Sequence, residues 1–204
     1  MKLGIVDLDT GNLASLLSAI NKLKINFKIC KNSFDFEDVD KIILPGVGAF
    51  KDLMKKIKEK NMDKIILAKI DKNVPVLGVC VGFQILFSGS NEHGYCKGLG
   101  LIKGNFINFK DESEKIKVPH VGWNECKILN KNKLFHNIED NSDFYFTHSY
   151  YLKNYNIENV ITKTMYDLKF VSSINKNNFY GVQFHPEKSQ LNGLKIIKNF
   201  YERC

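Results

Sequence analysis

An α/β protein is the expected fold class, built on a mostly parallel open sheet covered by helices on both faces, with a mixed or antiparallel extension in the second half. Three observations carry that expectation. Up to Gly98, short and almost wholly apolar runs alternate with segments of helical period. Those runs lack the polar alternation of a sheet with one wet face, so both of their faces are buried, as in a parallel sheet. After Gly98 the texture changes to strand-like segments separated by Asn- and Lys-rich turns, which suits antiparallel or mixed pairing.

Leu3 to Leu8 reads as a buried strand, and Leu13, Leu16, Ile20 and Leu23 recur at helical spacing after Gly11 and Asn12. "FKIC" and "KIILP" are further strands, the stretch from there to Lys72 is helical, and "VPVLGV" is a short apolar strand bounded by Pro75 and Gly78. In the second half "GLIKGNFINF", "ECKIL", "DFYFTHSYYL", "KFVSSI" and "FYGVQF" are the strand candidates. "NGLKIIKNFYER" closes the chain as a helix that packs back through Leu194, Ile197 and Phe200 or Tyr201. Neither a repeat nor a linker divides residues 1–204, which are expected to form a single domain.

Composition narrows the classes of function. With 44% hydrophobic and 25% charged residues, the 204-residue chain is an ordinary globular one. Its first apolar run meets Asp7 too soon for a signal peptide, and no run reaches the roughly 18 apolar residues of a membrane span, so a cytoplasmic protein is expected. The net charge of +8 comes from lysines spread along the chain, and the densest group, "KDLMKKIKEK", alternates with apolar residues as a solvated helix face does. A nucleic-acid partner is therefore not expected. Cys30, Cys80, Cys96, Cys126 and Cys204 are odd in number and form no CxxC pair, which speaks against a disulfide framework and a structural zinc site. No metal and no cofactor is expected.

One cysteine stands apart. In "PVLGVCVGFQILF", Cys80 follows an apolar strand and precedes a helical-looking stretch, with Gly78 and Gly82 at i−2 and i+2. G-x-C-x-G is the cysteine counterpart of the G-x-S-x-G nucleophile elbow, in which glycines permit a tight turn without side-chain collision. A helix N-terminus behind the sulfur would favour its anionic form, and the Val81 N–H would face a tetrahedral oxyanion. Farther on, "FHPEKSQ" sets His185 and Glu187 two apart at what reads as a strand end, where alternate side chains share a face and a carboxylate can orient an imidazole. "LPGVGAF" places Gly46, Val47 and Gly48 after a strand, where main-chain N–H groups can approach a ligand. Each has a plain alternative: a small core residue, a turn with a surface acid, and an ordinary loop.

PGVG, G-x-C-x-G-x-Q and HPE, in that order, make the chain resemble the triad-type (class I) glutamine amidotransferases over essentially its whole length. "DLDTGN", "KVPHVGWNE", "FYFTHSYY" and "FHPEKSQ" narrow the resemblance to the glutaminase subunits of imidazole glycerol phosphate synthase, which act in histidine biosynthesis. The resemblance implies a flavodoxin-like fold and a catalytic triad of Cys80, His185 and Glu187. It further implies an oxyanion hole from Val47, Gly48 and Val81, and a site for L-glutamine at Gly46, Gly48, Gln84, Glu92, His148, Ser149 and Tyr150. Asn12, His120, Trp123, Tyr145 and Lys188 match positions that face or gate a partner, a β/α-barrel synthase subunit in a heterodimer to which the ammonia passes. As bare residues Trp123 and Tyr145 read as core, Lys188 as a solvated cation, Gln84 and Glu92 as surface groups. His93 and His136 are expected at the surface. Three other readings keep the same fold: a paralogue supplying ammonia for amidination of a cell-surface sugar, a catalytically silent regulatory subunit, and a stand-alone cysteine hydrolase or peptidase.

Overall fold

The computed structural model describes residues 1–9 and 13–204. β1 (Leu3–Val6) is buried along its whole length and leads to α1 (Ala14–Lys22), whose Leu16, Ala19 and Ile20 turn to the core. β2 (Phe27–Cys30) and β3 (Lys41–Gly46) follow, and then α2 (Phe50–Glu59). Where one helical stretch is expected up to Lys72, there are two. The chain breaks at Asn61, whose φ of 53° is the left-handed conformation that Asn tolerates better than most residues, and α3 (Met62–Asp71) starts afresh.

β4 (Val76–Cys80) is wholly buried, and α4 (Val81–Gln84) is a single turn. Directly after it come two strands with no counterpart in the sequence reading, β5 (Phe87–Ser90) and β6 (Cys96–Lys97). β7 (Ile102–Asn108), β8 (His120–Ile128), β9 (Ser142–His148), β10 (Tyr150–Lys153), β11 (Val160–Tyr166), β12 (Leu168–Lys176) and β13 (Phe179–Val182) complete the strands. The strand expected around "ECKIL" is nine residues long, β11 was not anticipated, and the segment "DFYFTHSYYL" divides at Ser149 into β9 and β10.

The main sheet has nine strands in the order β2-β1-β3-β4-β13-β12-β11-β8-β9. From β2 to β13 neighbours are parallel, and from β13 to β9 they are antiparallel. The chain steps outward from β1 to β2, then reverses through β3 to β4. Right-handed crossovers therefore put α1 on one face and α2 and α3 on the other, as in doubly wound sheets. Such sheets gather their chemistry beyond the carboxyl ends of the strands, and here the ends of β3, β4 and β13 lie side by side, with Gly46 opposite Cys80.

A second sheet, β10-β7-β5-β6, is tied to the first through an edge-to-face trio. Phe83 of α4, Phe87 of β5 and Phe106 of β7 have ring centroids 5.2–5.5 Å apart. Each such pair adds about 0.5–1.5 kcal/mol beyond its area, so the turn after Cys80 is anchored by its own aromatic residue. At the far end α5 (Gln190–Arg203) buries Ile196, Ile197 and Phe200, with Leu194 and Tyr201 half-buried beside them. Buried Lys41 donates to Phe200 O at 3.1 Å and Cys204 O at 2.5 Å, satisfying carbonyls that the end of a helix leaves free. Among the described residues no helix is long and apolar enough to cross a membrane.

Candidate active site

Cys80 ends β4 with φ 53° and ψ −112°, a conformation that costs a residue with a side chain about 1–3 kcal/mol and persists only where the surroundings impose it. They do so through main-chain contact. A Cβ at Gly82 would stand 1.9 Å from Leu44 O, so the turn leaving Cys80 lies directly on β3 and only glycine fits. β3 then delivers its own loop beside the sulfur, with Gly48 at φ 90°. One element of the sequence reading fails here. The helix behind Cys80 is only one turn long and breaks into β5, so an extended helix dipole does not act on the sulfur. The apolar stretch "FQILF" has the composition of either element, and pairing of Phe87 with Ile102 decides for strand.

Cys80 is 4% exposed. Its Sγ lies 3.9 Å from Thr147 O and 3.8 Å from Gln183 Nε2.

His185 Nδ1 and Glu187 Oε1 are 2.8 Å apart, with both side chains nearly buried. The alternation of a strand is not what brings them together: β13 ends at Val182, and residues 186–188 form a 3₁₀ turn that starts with Pro186. His185 N donates to Tyr145 O at 2.9 Å, and Ser189 Oγ bridges His185 O at 2.6 Å and the Tyr145 N–H at 3.0 Å. The turn is thereby stitched to β9. With Nδ1–H given to the carboxylate, Nε2 is the free nitrogen, and it is buried without a hydrogen-bond partner. Burial disfavours the imidazolium, but the Cys80 sulfur and the Glu187 carboxylate outweigh it and push His185 up to about 10.

Cys80 and His185 open on one cavity of about 510 Å³, large enough for a small amino acid. Val47, Gly48, Val81, Gln84, Glu92, His148, Ser149, Tyr150 and Lys188 share its walls, so most of the residues singled out from scattered motifs meet there. Gly46, expected at the glutamine site, is not among the lining residues; it is buried under the elbow, where an added Cβ would stand 2.4 Å from Gly82 N. Gln84 and Glu92 are not free surface groups. Gln84 is 3% exposed and donates to Gln183 Oε1 at 3.1 Å, while Glu92 Oε2 accepts from Phe50 N at 2.7 Å, capping α2. Pro119 and Thr147 line the cavity as well, and Gln183 touches the sulfur; none of the three had been singled out. The "VPH" and "QFHPE" strings held Pro119 and Gln183, but neither residue type announces chemistry.

Asn12 lies outside the described residues. Trp123 and Tyr145 face each other across β8 and β9, with rings 6.0 Å apart, and Lys188 Nζ sits 5.6 Å from the Tyr145 ring. Trp123 is 47% exposed rather than core, and Val121 beside it on the same strand face is also exposed. His120, matched to a position that faces or gates a partner, is not exposed. It is buried between Phe146 and Tyr166, 4.9 and 4.0 Å away. It belongs to a one-way chain of hydrogen bonds. Asn124 Nδ2 donates to His120 Nε2 at 3.2 Å, His120 Nδ1 to His148 Nε2 at 3.0 Å, and His148 Nδ1 to Tyr150 O at 2.8 Å. A carbonyl only accepts, so every tautomer is set from that end and both rings are neutral. Burial pushes His120 down to about 4 and His148 to about 3. His93 and His136 are exposed, as expected. Among the described residues no group of three or more His, Cys, Asp or Glu is placed to hold a metal ion.

A thiol, an imidazole fixed by a carboxylate, and a glycine loop around one small cavity are the parts needed for nucleophilic acyl transfer. Comparison with known proteins agrees. Residues 5–204 match the family described as glutamine amidotransferase class-I. The imidazole glycerol phosphate synthase subunit HisH of Methanocaldococcus jannaschii is 46% identical over 200 residues, covering 98% of each chain. Subunit HisH 1 of Campylobacter jejuni is 42% identical over 200 residues, covering 97% of this chain and 98% of the relative. Among solved structures, that of PurLQS from Thermotoga maritima superposes with a TM-score of 0.77 at 18% identity, over 98% of this chain and 97% of that one, a likeness of fold.

Proposed function

The chain belongs to the class I glutamine amidotransferases, and from that premise we propose that it is the glutaminase subunit of an imidazole glycerol phosphate synthase. It hydrolyses L-glutamine to glutamate and ammonia. In this reading Cys80 attacks the side-chain amide carbon, main-chain N–H groups at Val81 and at Val47 or Gly48 hold the oxyanion, and His185 protonates the departing ammonia. Water then cleaves the glutamyl thioester. Glu187 keeps the imidazole in the tautomer that leaves Nε2 facing the cavity. The observation that carries the reading is the convergence of Cys80 and His185 on one cavity with Gln84, Glu92 and residues 148–150.

Released into water, ammonia is protonated and lost as a nucleophile. Transfer to a partner is therefore part of the proposal, and the partner is a β/α-barrel synthase subunit in a cytoplasmic heterodimer. The exposed Trp123, with Tyr145 and Lys188 next to the cavity rim, supports a docking face there. The near full-length relatives named as HisH favour this pathway over sugar amidination, and the intact triad speaks against a silent subunit. Ammonia release from glutamine, measured with and without the synthase subunit, tests the reading. Turnover is expected to rise when the partner is present and to vanish in Cys80→Ala, and activity that survives this substitution overturns the mechanism.

A further inference from the structure

Gln183, the residue after β13, is fully buried. Its Nε2 donates to Cys80 Sγ at 3.8 Å and its Oε1 accepts from Gln84 Nε2 at 3.1 Å. The two ends of a carboxamide have the same shape and opposite hydrogen-bonding character, and in this arrangement Gln84 gives its amide N–H to the oxygen end. With Oε1 so engaged, the amide N–H is the end that faces the sulfur. The main chain gives it no slack, because Gln183 N donates to Ser172 O at 2.9 Å and the Phe184 ring stacks 4.1 Å from Phe144.

The two neighbours of Sγ therefore favour opposite states of it. Thr147 O, 3.9 Å away, can only accept, and so suits the thiol; Gln183 Nε2 can only donate, and so suits the thiolate. We propose that Gln183 is a further catalytic residue of the glutaminase reaction, its amide N–H hydrogen-bonding the Cys80 sulfur anion while Gln84 locks the carboxamide. The inference rests on Cys80 being the nucleophile. In the step it assists, the thiol proton passes to His185 Nε2, the S–H bond breaks as the N–H bond forms, and Gln183 keeps both of its protons. Gln84, on the cavity wall, then joins the substrate pocket to the sulfur through one side chain.

The test uses the full chain with Gln183→Met, which keeps the length and removes both polar ends, and Gln183→Glu, which replaces the donor by an anion. Iodoacetamide alkylation of the Cys80 peptide is followed by mass spectrometry across pH, beside kcat and KM for glutamine. A hydrogen bond to a charged group is commonly worth about a tenfold effect. Gln183→Met is expected to slow alkylation at pH 7 by about that factor and to move its profile to higher pH, with kcat falling and KM nearly unchanged. Gln183→Glu should slow it further. Folded variants with the wild-type alkylation profile overturn the proposal. Should neither variant fold, the wild-type chain decides. The Gln183 side-chain amide resonances must shift with pH as the sulfur ionises and lose that response in Cys80→Ala, and resonances indifferent to both overturn it. Alkylation and resonance shifts need no glutamine, so failure of this contact is separate from failure of the glutaminase reading, which shows as no ammonia from the wild-type chain.

Discussion

His185 and Glu187, two residues apart, bind each other through Nδ1 and Oε1 at 2.8 Å because a 3₁₀ turn opening on Pro186 folds the carboxylate back beneath the ring. The geometry leaves Nε2 unpartnered in a residue that lines the same cavity as Cys80, and it fixes the sign of the pH response.

For Glu187→Gln, the expected loss in kcat is on the order of 10²–10⁴, the range seen when a general base loses its activation or its orienting acid. Against the opposing effect of burial, the Cys80 sulfur first and the Glu187 carboxylate with it raise the His185 imidazole to about 10, so removing the carboxylate's charge lowers that value. The alkaline limb of kcat/KM, where the imidazolium needed by the leaving ammonia disappears, should move to lower pH. A limb that stays in place would separate Glu187 from His185 function.

Buried neutral His148 predicts a loss of stability toward acid. Its folded value near 3 lies below the ordinary 6.5, so above pH 6.5 it makes no difference. As pH falls below 6.5 the unfolded chain takes up a proton that the folded chain refuses, and stability drops by about 1.4 kcal/mol per pH unit. His120, lowered in the same way, acts in the same direction. Urea midpoints between pH 7 and 5 should fall accordingly; identical midpoints contradict two neutral rings.

Gly82→Ala and Gly48→Ala should part company. The added Cβ at Gly82 meets Leu44 O at 1.9 Å, main chain against main chain, so this variant is expected to lose about 3 kcal/mol or more, or not to fold. At Gly48 nothing stands within 4 Å, and the cost is the 90° φ alone, about 1–2 kcal/mol. Gly48→Ala should keep most of its thermal stability and lose activity. Thermal melts beside glutaminase assays make the comparison, and equal melting losses would be the wrong result.

Trp123→Ala is expected to leave the melting temperature within a few degrees, since the ring is nearly half exposed, and to weaken binding of the synthase subunit by about 2 kcal/mol or more. Calorimetric titration with the barrel subunit measures it. Unaltered affinity would move the docking face elsewhere.

Much of the site was legible before any coordinates. The tight elbow at Cys80, the glycine loop after β3 and the His-Pro-Glu string are local, since each states a backbone requirement or a pairing within a few residues. Gln183 was not legible, because a glutamine amid "YGVQF" reads as one polar residue in a strand, and its partners Cys80 and Gln84 are about a hundred positions away. The burial of His120 was not legible for a related reason: its "VPHVGWN" neighbours Val121 and Trp123 do face outward, and the period of two that exposes them turns His120 inward.

Chain order alone thus determined the parallel first half, the nucleophile candidate and the chemistry its neighbours allow, because apolar periodicity and glycine spacing are short-range consequences of steric and solvation forces. Which side chains share a cavity was settled only by long-range pairing. β13 returns to lie parallel beside β4 and carries Gln183 and His185 to the sulfur, and residues 142–148 pair with β8 to set residues 147–150 opposite them. Those pairings depend on how the whole apolar surface is buried at once, and no window of the sequence contains that sum.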